Sequence, residues 1–457
     1  MVQLTERLAH LAVDWVHPSE DAALDLAERA VVDTVAVTLA SVTDRTVTTM
    51  LDAIGQGLGP GASTVLVTGQ RTDTRQAALI GGLSAHALDF DDVDDAMIGH
   101  PSAVIVPAVL AVGEDLDATG REVLQAYWVG LATCRAVAAE VGIDGHYAAG
   151  WHSTATIGTL GAAAAVARLR GLTQDQAQHA LGIAGSLAAG SRQNFGTMTK
   201  PLHAGTAASS GVLAATLAGS GFTADPHQLE SPLGFLALHD GSPHVSPLPD
   251  ELLEEPSLNV KLYPCCYYIH AAADAMIALA EAGLTPAEVR SIQVTVQPAG
   301  LGALIHHRPV TGLQGKFSME YAMAAALLDR RVTLETFTDE VVNRPAVQDL
   351  LRKVIADTRP TPPLGPTQWE GSYAVVAVTM IDGGTVVQRV DHARGHATRP
   401  VTEPELRGKF DDCALFGGFH VSGEMYGAWR HLRALSSVRQ ATAMVASAVM
   451  DGAGVGS

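Results

Sequence analysis

Between residues 101 and 220 the chain offers one apolar helical stretch after another, and its apolar side chains are mostly small. The run GTLGAAAAVA at 158–167 is the clearest case. Alanine and glycine let helix backbones approach closely, so this part of the chain is constrained to a tightly packed helical body. Thr119-x-x-Glu122 and Thr173-x-x-Gln176 have the form of capping boxes and mark two helix starts. The apolar spacing predicts helices over 3–16, 19–41, 45–57, 74–88, 103–117, 120–141, 153–170, 174–189 and 203–220, with Ser19 capping the second. No fixed-period repeat suggests a solenoid.

The texture changes after residue 222. The stretch 223–258 is rich in Pro, His and acidic residues and reads as a long connection. Strand signals follow: 289–297 alternates apolar and polar, as do 373–380 and 385–391, which flank the turn Asp382-Gly383-Gly384. Helices are expected at 264–282, 318–329 and 345–356, and again through the tail, 402–449. A chain of 457 residues is too long for one compact core. The expected architecture is mainly α with an inserted α+β domain: helical over 1–258, α+β over 259–396, and helical again over 397–457, packing back on the first part.

The formal net charge is −19, which argues against nucleic acid and anionic membrane surfaces as partners. An anionic small ligand remains open if basic groups gather locally. Of the 29 basic residues only five are lysines: Lys200, Lys261, Lys316, Lys353 and Lys409. In an arginine-dominated chain a lysine has the look of a chemical requirement. Cys134, Cys265, Cys266 and Cys413 form no C-x-x-C pattern, the N-terminal residues do not have signal-peptide form, and no apolar run reaches membrane-spanning length. The expectation is a reduced, cytoplasmic protein.

Five segments concentrate polar groups in apolar surroundings. The first packs Asp89, Asp91, Asp92, Asp94 and Asp95 into seven residues ahead of His100. The second is Trp151-His152-Ser153-Thr154 before the Ala-rich helix, and the third is Lys200-Pro201-Leu202-His203. The fourth is Lys261-Leu262-Tyr263-Pro264-Cys265-Cys266 with His270 beyond it, and the fifth is His306-His307-Arg308-Pro309 followed by Lys316. Singly, each has a structural reading: caps, satisfied core histidines, packing cysteines, surface histidines, and Lys316 on a solvated helix end. Burying such groups costs several kcal/mol each unless they are paired. Together, two lysines, two histidines and a buried aspartate suit a small di- or tricarboxylate. They also suit proton abstraction beside a carboxylate, where enolate-like charge needs stabilising. Asp91-Asp92-x-x-Asp95 has the spacing of a magnesium-diphosphate motif, but no second metal motif accompanies it and aromatics are only 5%. The EF-hand pattern fails at Val93 and lacks its glycine.

HALDFDD and HPSA within 86–103, GWHSTATIGTLGAAAA at 150–165, ALGIAGS at 180–186, GTMTKPLHAG at 196–205, KLYPCC at 261–266 and KFSMEYAMAAALLD at 316–329 resemble the MmgE/PrpD family. The match runs in order along nearly the whole chain. The resemblance implies a large all-helical domain built from both ends of the chain, a smaller α+β lid domain, a homodimer, and no obligatory metal or organic cofactor. It implies a pocket of Asp89, His100, His152, Lys200 and Lys261. Lys200 and Lys261 would bind substrate carboxylates, with His203, Ser102 and Thr154 beside them. His100 and His152 would divide the acid and base roles. Asp91 and Asp92 are expected to be structural, through backbone or Arg partners, and Asp94 and Asp95 solvated. Two positions depart from the family's decarboxylase branch: Val93 stands where that branch has a threonine, and no tyrosine precedes Arg308-Pro309. The loop to His100 is also one residue longer. The expected activity is a dehydratase-type lyase. An isomerase or epimerase using the same proton abstraction and a decarboxylase of cis-aconitate type are the alternatives, and a polycarboxylate-binding protein without activity is the non-enzymatic one.

Overall fold

A computed structural model of the chain describes residues 3–14, 20–239, 258–419 and 422–453. Ser19 and residues 240–257 of the acidic, Pro-rich connection therefore lie outside the described residues. By their contacts the residues gather into two units. One comprises 1–193, 200–258 and 402–457, and the other 194–199 and 259–401. The second unit thus runs five residues past the expected boundary at 396, and it takes in the short stretch 194–199.

The first unit is helical: α1 (Leu4–Asp14), α2 (Glu20–Ala40), α3 (Arg45–Ile54), α4 (Thr74–His86), α5 (Ser102–Leu116), α6 (Gly120–Val141), α7 (Ile143–Ala148), α8 (Ser153–Leu169), α9 (Gln174–Leu187) and α10 (Thr199–Gly219). Both expected capping boxes form, at Thr119 with Glu122 and at Thr173 with Gln176. The Asp73 carboxylate caps α4 by accepting from the Arg75 and Gln76 N–H groups. Small residues do what their pattern predicts. A Cβ placed on Gly161 of α8 would lie 2.3 Å from Cys134 Sγ of α6. On Gly205 of α10 it would lie 2.3 Å from the Leu79 carbonyl of α4. The α4–α10 approach matters most, because it sets the end of α4 against the first turn of α10. That first turn begins at Thr199, four residues before the expected start, so Lys200 and His203 are both helical.

The second unit is α+β. A four-stranded sheet is built from β1 (Val289–Val296), β2 (Val354–Thr358), β3 (Ala374–Met380) and β4 (Thr385–Val390), in the order β2-β1-β3-β4. β1 runs parallel to β2 with Ile292 opposite Val354, and antiparallel to β3 with Val294 opposite Val376. β3 and β4 form the expected hairpin about Asp382-Gly383-Gly384. Helices α11 (His270–Glu281), α12 (Met319–Asp329) and α13 (Pro345–Leu351) complete the unit. Its core includes Cys265, Cys266, Ile292, Val294, Phe317 and Val376. Two expectations are corrected here. The helix expected over 345–356 stops at Leu351, and Val354–Thr358 is a strand. The helix expected from 264 begins only at His270, after a single 3-10 turn.

The chain then returns to the first unit as α14 (Glu403–Phe416), α15 (Gly423–Arg430) and α16 (Arg439–Ala453). α14 packs along α2. No described helix is long and apolar enough to cross a membrane.

Candidate active site

A polar cluster around Lys200 lies within the first unit, where four segments meet. α4 ends at His86, and the chain turns sharply through Asp89, whose φ is 52°. Aspartate is among the few side chains that tolerate the left-handed region. Ile98 also sits at positive φ, 46°, which is costly for a β-branched residue and is held only by surrounding contacts. Those contacts are present. Asp94 and Gly99 exchange backbone hydrogen bonds of 2.9 and 3.3 Å, and Ser153 Oγ donates to the Ile98 carbonyl at 2.6 Å. Arg135 pairs with Asp94 at 3.2 Å, and the Lys409 ammonium donates to the Phe90 carbonyl at 2.8 Å. The loop from Asp89 to His100 is therefore clamped from α6, α8 and α14.

Lys200 stands at the centre. Its Nζ is 2.6 Å from Asp89 Oδ1 and 2.8 Å from His86 Nε2. On the far side of the imidazole, His86 Nδ1 lies 2.8 and 3.0 Å from the two Asp91 carboxylate oxygens. His100 places Nδ1 at 2.8 Å from the Asp92 carbonyl and 3.2 Å from Asp91 Oδ2, with Nε2 3.8 Å from Asp89 Oδ1. A carbonyl only accepts, so His100 carries its proton on Nδ1 and, when neutral, its lone pair on Nε2. The His152 ring stacks 5.8 Å from that of His86, and its Nδ1 is 3.1 Å from Nδ1 of His203.

The electrostatics follow from burial around one cation. Burial, reinforced by Lys200, holds His152 well below the usual imidazole range and brings His203 down to about 4. Burial also brings His86 down to about 3, against the raising influence of Asp91. For Asp91 burial opposes the charge, but the His86 and His100 rings outweigh it and hold the carboxyl well below its usual range. Asp92 goes the other way, pushed up by burial and by nearby Asp33. Burial raises Asp94 to about 6, partly offset by Arg135.

Of the residues picked out from the sequence, Asp89, His100, His152, Lys200 and His203 come together. Thr154 supports the cluster by accepting the His100 backbone N–H at 3.1 Å. The Ser102 hydroxyl is engaged elsewhere, donating to Asp92 Oδ2 at 2.5 Å and bonding Tyr127 Oη at 2.7 Å. Lys261 is fully buried and belongs to the second unit. Asp91 has histidine partners rather than backbone or Arg ones, and Asp94 is buried against Arg135 rather than solvated, whereas Asp95 is exposed. Lys316, expected on a solvated helix end, is buried and donates to the Pro264 carbonyl at 2.8 Å. His270 is buried with Nε2 3.2 Å from the Cys265 carbonyl, and His307 is exposed beside Glu320. His86 escaped the sequence reading. Its signal was there, three residues before Asp89 at a helix end, but only the fold shows α10 delivering a lysine to it.

His86, Asp89, Asp91 and His100 offer ligand atoms all within 4.8 Å of one another, a set that could hold a metal ion. The Lys200 ammonium already stands against two of the four and supplies positive charge there.

The N-terminal domain model of the MmgE/PrpD family matches residues 4–247, and its C-terminal domain model matches 263–418. Among characterised relatives, the cis-aconitate decarboxylase of Mus musculus is 30% identical over 347 residues, covering 73% of this chain and 70% of its own. That of Homo sapiens is 30% identical with 73% and 71% covered. The Aspergillus terreus enzyme is 29% identical over 324 residues, with 65% and 66% covered. The chain belongs to the MmgE/PrpD family and is an enzyme of its lyase type.

Proposed function

We propose that this enzyme is a lyase acting on a small tricarboxylate or related dicarboxylate by moving a proton at the carbon next to a carboxylate. The observation that carries the reading is the buried Lys200 ammonium between Asp89 and His86, with the rings of His100 and His152 packed against that of His86. Lys200 binds a substrate carboxylate and stabilises the enolate-like charge. His100 acts as base through Nε2, its orientation held by the Nδ1–H bond to the Asp92 carbonyl. His152, kept neutral by burial, donates the proton from Nε2 when its Nδ1 accepts from His203, and it is restored by the proton that His100 has taken up or by one from solvent. In a dehydration the base takes the carbon-bound proton, the C–O bond breaks, and the departing hydroxyl leaves as water with the donor's proton. In a decarboxylation the C–C bond breaks, CO2 leaves, and the electron pair left on carbon takes a proton from a histidine.

The similarity to cis-aconitate decarboxylases makes a cis-aconitate-like tricarboxylate the first substrate to try. Val93, in the site loop, brings no hydroxyl. This favours dehydration or proton-transfer isomerisation of a related polycarboxylate as the second reading. No metal or organic cofactor is part of the proposal, since Lys200 provides the cation. A cytosolic homodimer is the expected working form. The four cysteines are all free thiols, as a reducing compartment allows, and sedimentation velocity tests the dimer. Incubation with a panel of di- and tricarboxylates, read by NMR for loss of water or CO2, tests the activity. Lys200→Ala and His152→Ala are expected to abolish turnover while leaving the fold intact, as is Lys261→Ala if the second lysine also binds substrate. Near wild-type rates in the first two would refute the site.

A further inference from the structure

We infer that His86 and Asp91 form a positioning pair that holds the Lys200 ammonium by a single imidazole tautomer. The inference deepens the proposed function and rests on it for the role of Lys200. Its chemistry is read from the partners. An ammonium has donors only, so the 2.8 Å contact from Lys200 Nζ requires His86 Nε2 to accept. The ring's one proton is then on Nδ1, where the Asp91 carboxylate accepts it at 2.8 and 3.0 Å. Asp91 is acceptor-only when ionised and has no proton to give, so the chain of bonds runs in one direction from Lys200 to His86 to Asp91. A doubly protonated ring would turn an N–H toward the ammonium and break the contact.

The setting supports this reading. His86 and Asp91 have side chains with no exposure to solvent. The charged and titratable groups that face the ring include Lys200, Asp91, Asp89 with a carboxylate oxygen within 4.8 Å, His100 at 4.5 Å and His152 at 5.8 Å between ring centroids. Two acceptors, Asp89 Oδ1 and His86 Nε2, therefore fix Lys200 from two directions. His86 supplies the second anchor without adding charge, which keeps the ammonium attractive to a substrate carboxylate. This is the orienting logic of a carboxylate behind a catalytic histidine, applied here to a lysine.

Long-range 1H–15N correlation spectra of the 15N-labelled enzyme without substrate test the pair directly, with His86 assigned by its loss in a variant. The expected result is a neutral ring protonated on Nδ1 throughout pH 5.5–8. A ring protonated on Nε2, or one that titrates in this window, overturns the inference. This readout needs no turnover, so it stands even if no polycarboxylate proves to be a substrate, an outcome that would sink the proposed function instead. The second arm compares two amides in the active enzyme. His86→Gln can bring an amide oxygen to the Nε2 position, whereas His86→Asn reaches only the Nδ1 position. A loss in kcat of about 100-fold is expected for His86→Asn, with His86→Gln restoring most of it, because misplaced charge at a reacting centre costs on that order. Equal rates in the two folded variants would contradict the pair. If neither turns over, the spectra of the wild type decide, with the folded variant or His86→Ala supplying the assignment.

Discussion

His152 and His203 meet through Nδ1 on both rings, 3.1 Å apart, so one ring donates and the other accepts. The ring that donates keeps its lone pair on Nε2, and the ring that accepts carries N–H there. The pair can thus present either a base or an acid without a net charge. The neutrality has a stability consequence. His203 titrates near 4 in the fold, because of burial and Lys200, against about 6.5 when unfolded. Between these values the unfolded chain binds one more proton, so stability rises with pH across this window and the contribution is complete above it. One proton corresponds to a slope of about 1.4 kcal/mol per pH unit. His203→Asn should therefore flatten the dependence of unfolding free energy on pH between 4.5 and 6 by that amount, as measured by urea titrations. An unchanged slope would place the titrating group elsewhere. At this scale the sequence was informative wherever a polar side chain interrupted an apolar run, as with Asp89, His152 and Lys200. It was silent on His86, whose importance comes from a lysine 114 positions later. It misled on Asp94, because a run of aspartates looks solvated until Arg135 is seen beside one of them.

Elements carry the site by how closely they approach. α4 and α10 are in backbone contact at Gly82 and Gly205, and that contact sets His86 against Lys200. A methyl group on Gly205 would meet the Leu79 carbonyl at 2.3 Å, so Gly205→Ala must push the helices apart. Loss of activity greater than loss of stability is expected, and comparison of kcat with the unfolding midpoint checks it. α14 contributes Lys409, whose ammonium pairs with Asp33 of α2 at 2.6 Å and clamps the Phe90 carbonyl, next to Asp89. Both side chains of this pair are almost wholly buried. Lys409→Met leaves Asp33 as a buried charge without this partner and should cost about 3–5 kcal/mol. The double variant Lys409→Met with Asp33→Leu should recover much of that loss in urea unfolding. Many helices were legible from their starts, since Thr119 and Thr173 carry their caps in the local sequence. β2 was not legible. The helical apolar spacing of 345–351 runs straight into Val354 and Ile355, and only pairing with Ile292 and Gln293 of β1 makes that stretch a strand.

At the scale of the whole molecule, the two ends of the chain build one helical unit and the α+β unit is inserted between them. That arrangement was readable because the periodicity changes from helical to alternating and back. The same return explains Lys409: a residue from the last part of the chain holds the loop that carries Asp89 and His100. The family follows from the length and order of the match, but the substrate depends on details such as Val93 that pattern alone does not interpret. The proposed function requires Lys200 and the two histidines to move a proton at a carbon beside a carboxylate. Solvent isotope incorporation tests this most directly. The enzyme is incubated with cis-aconitate and related di- and tricarboxylates in D2O, and deuterium at carbon is followed by NMR. Deuterium is expected at the carbon next to a carboxylate of substrate or product with the wild type, and none with Lys200→Ala or His100→Gln. Tight binding of a polycarboxylate with no exchange and no turnover, or unchanged exchange in both variants, would contradict it.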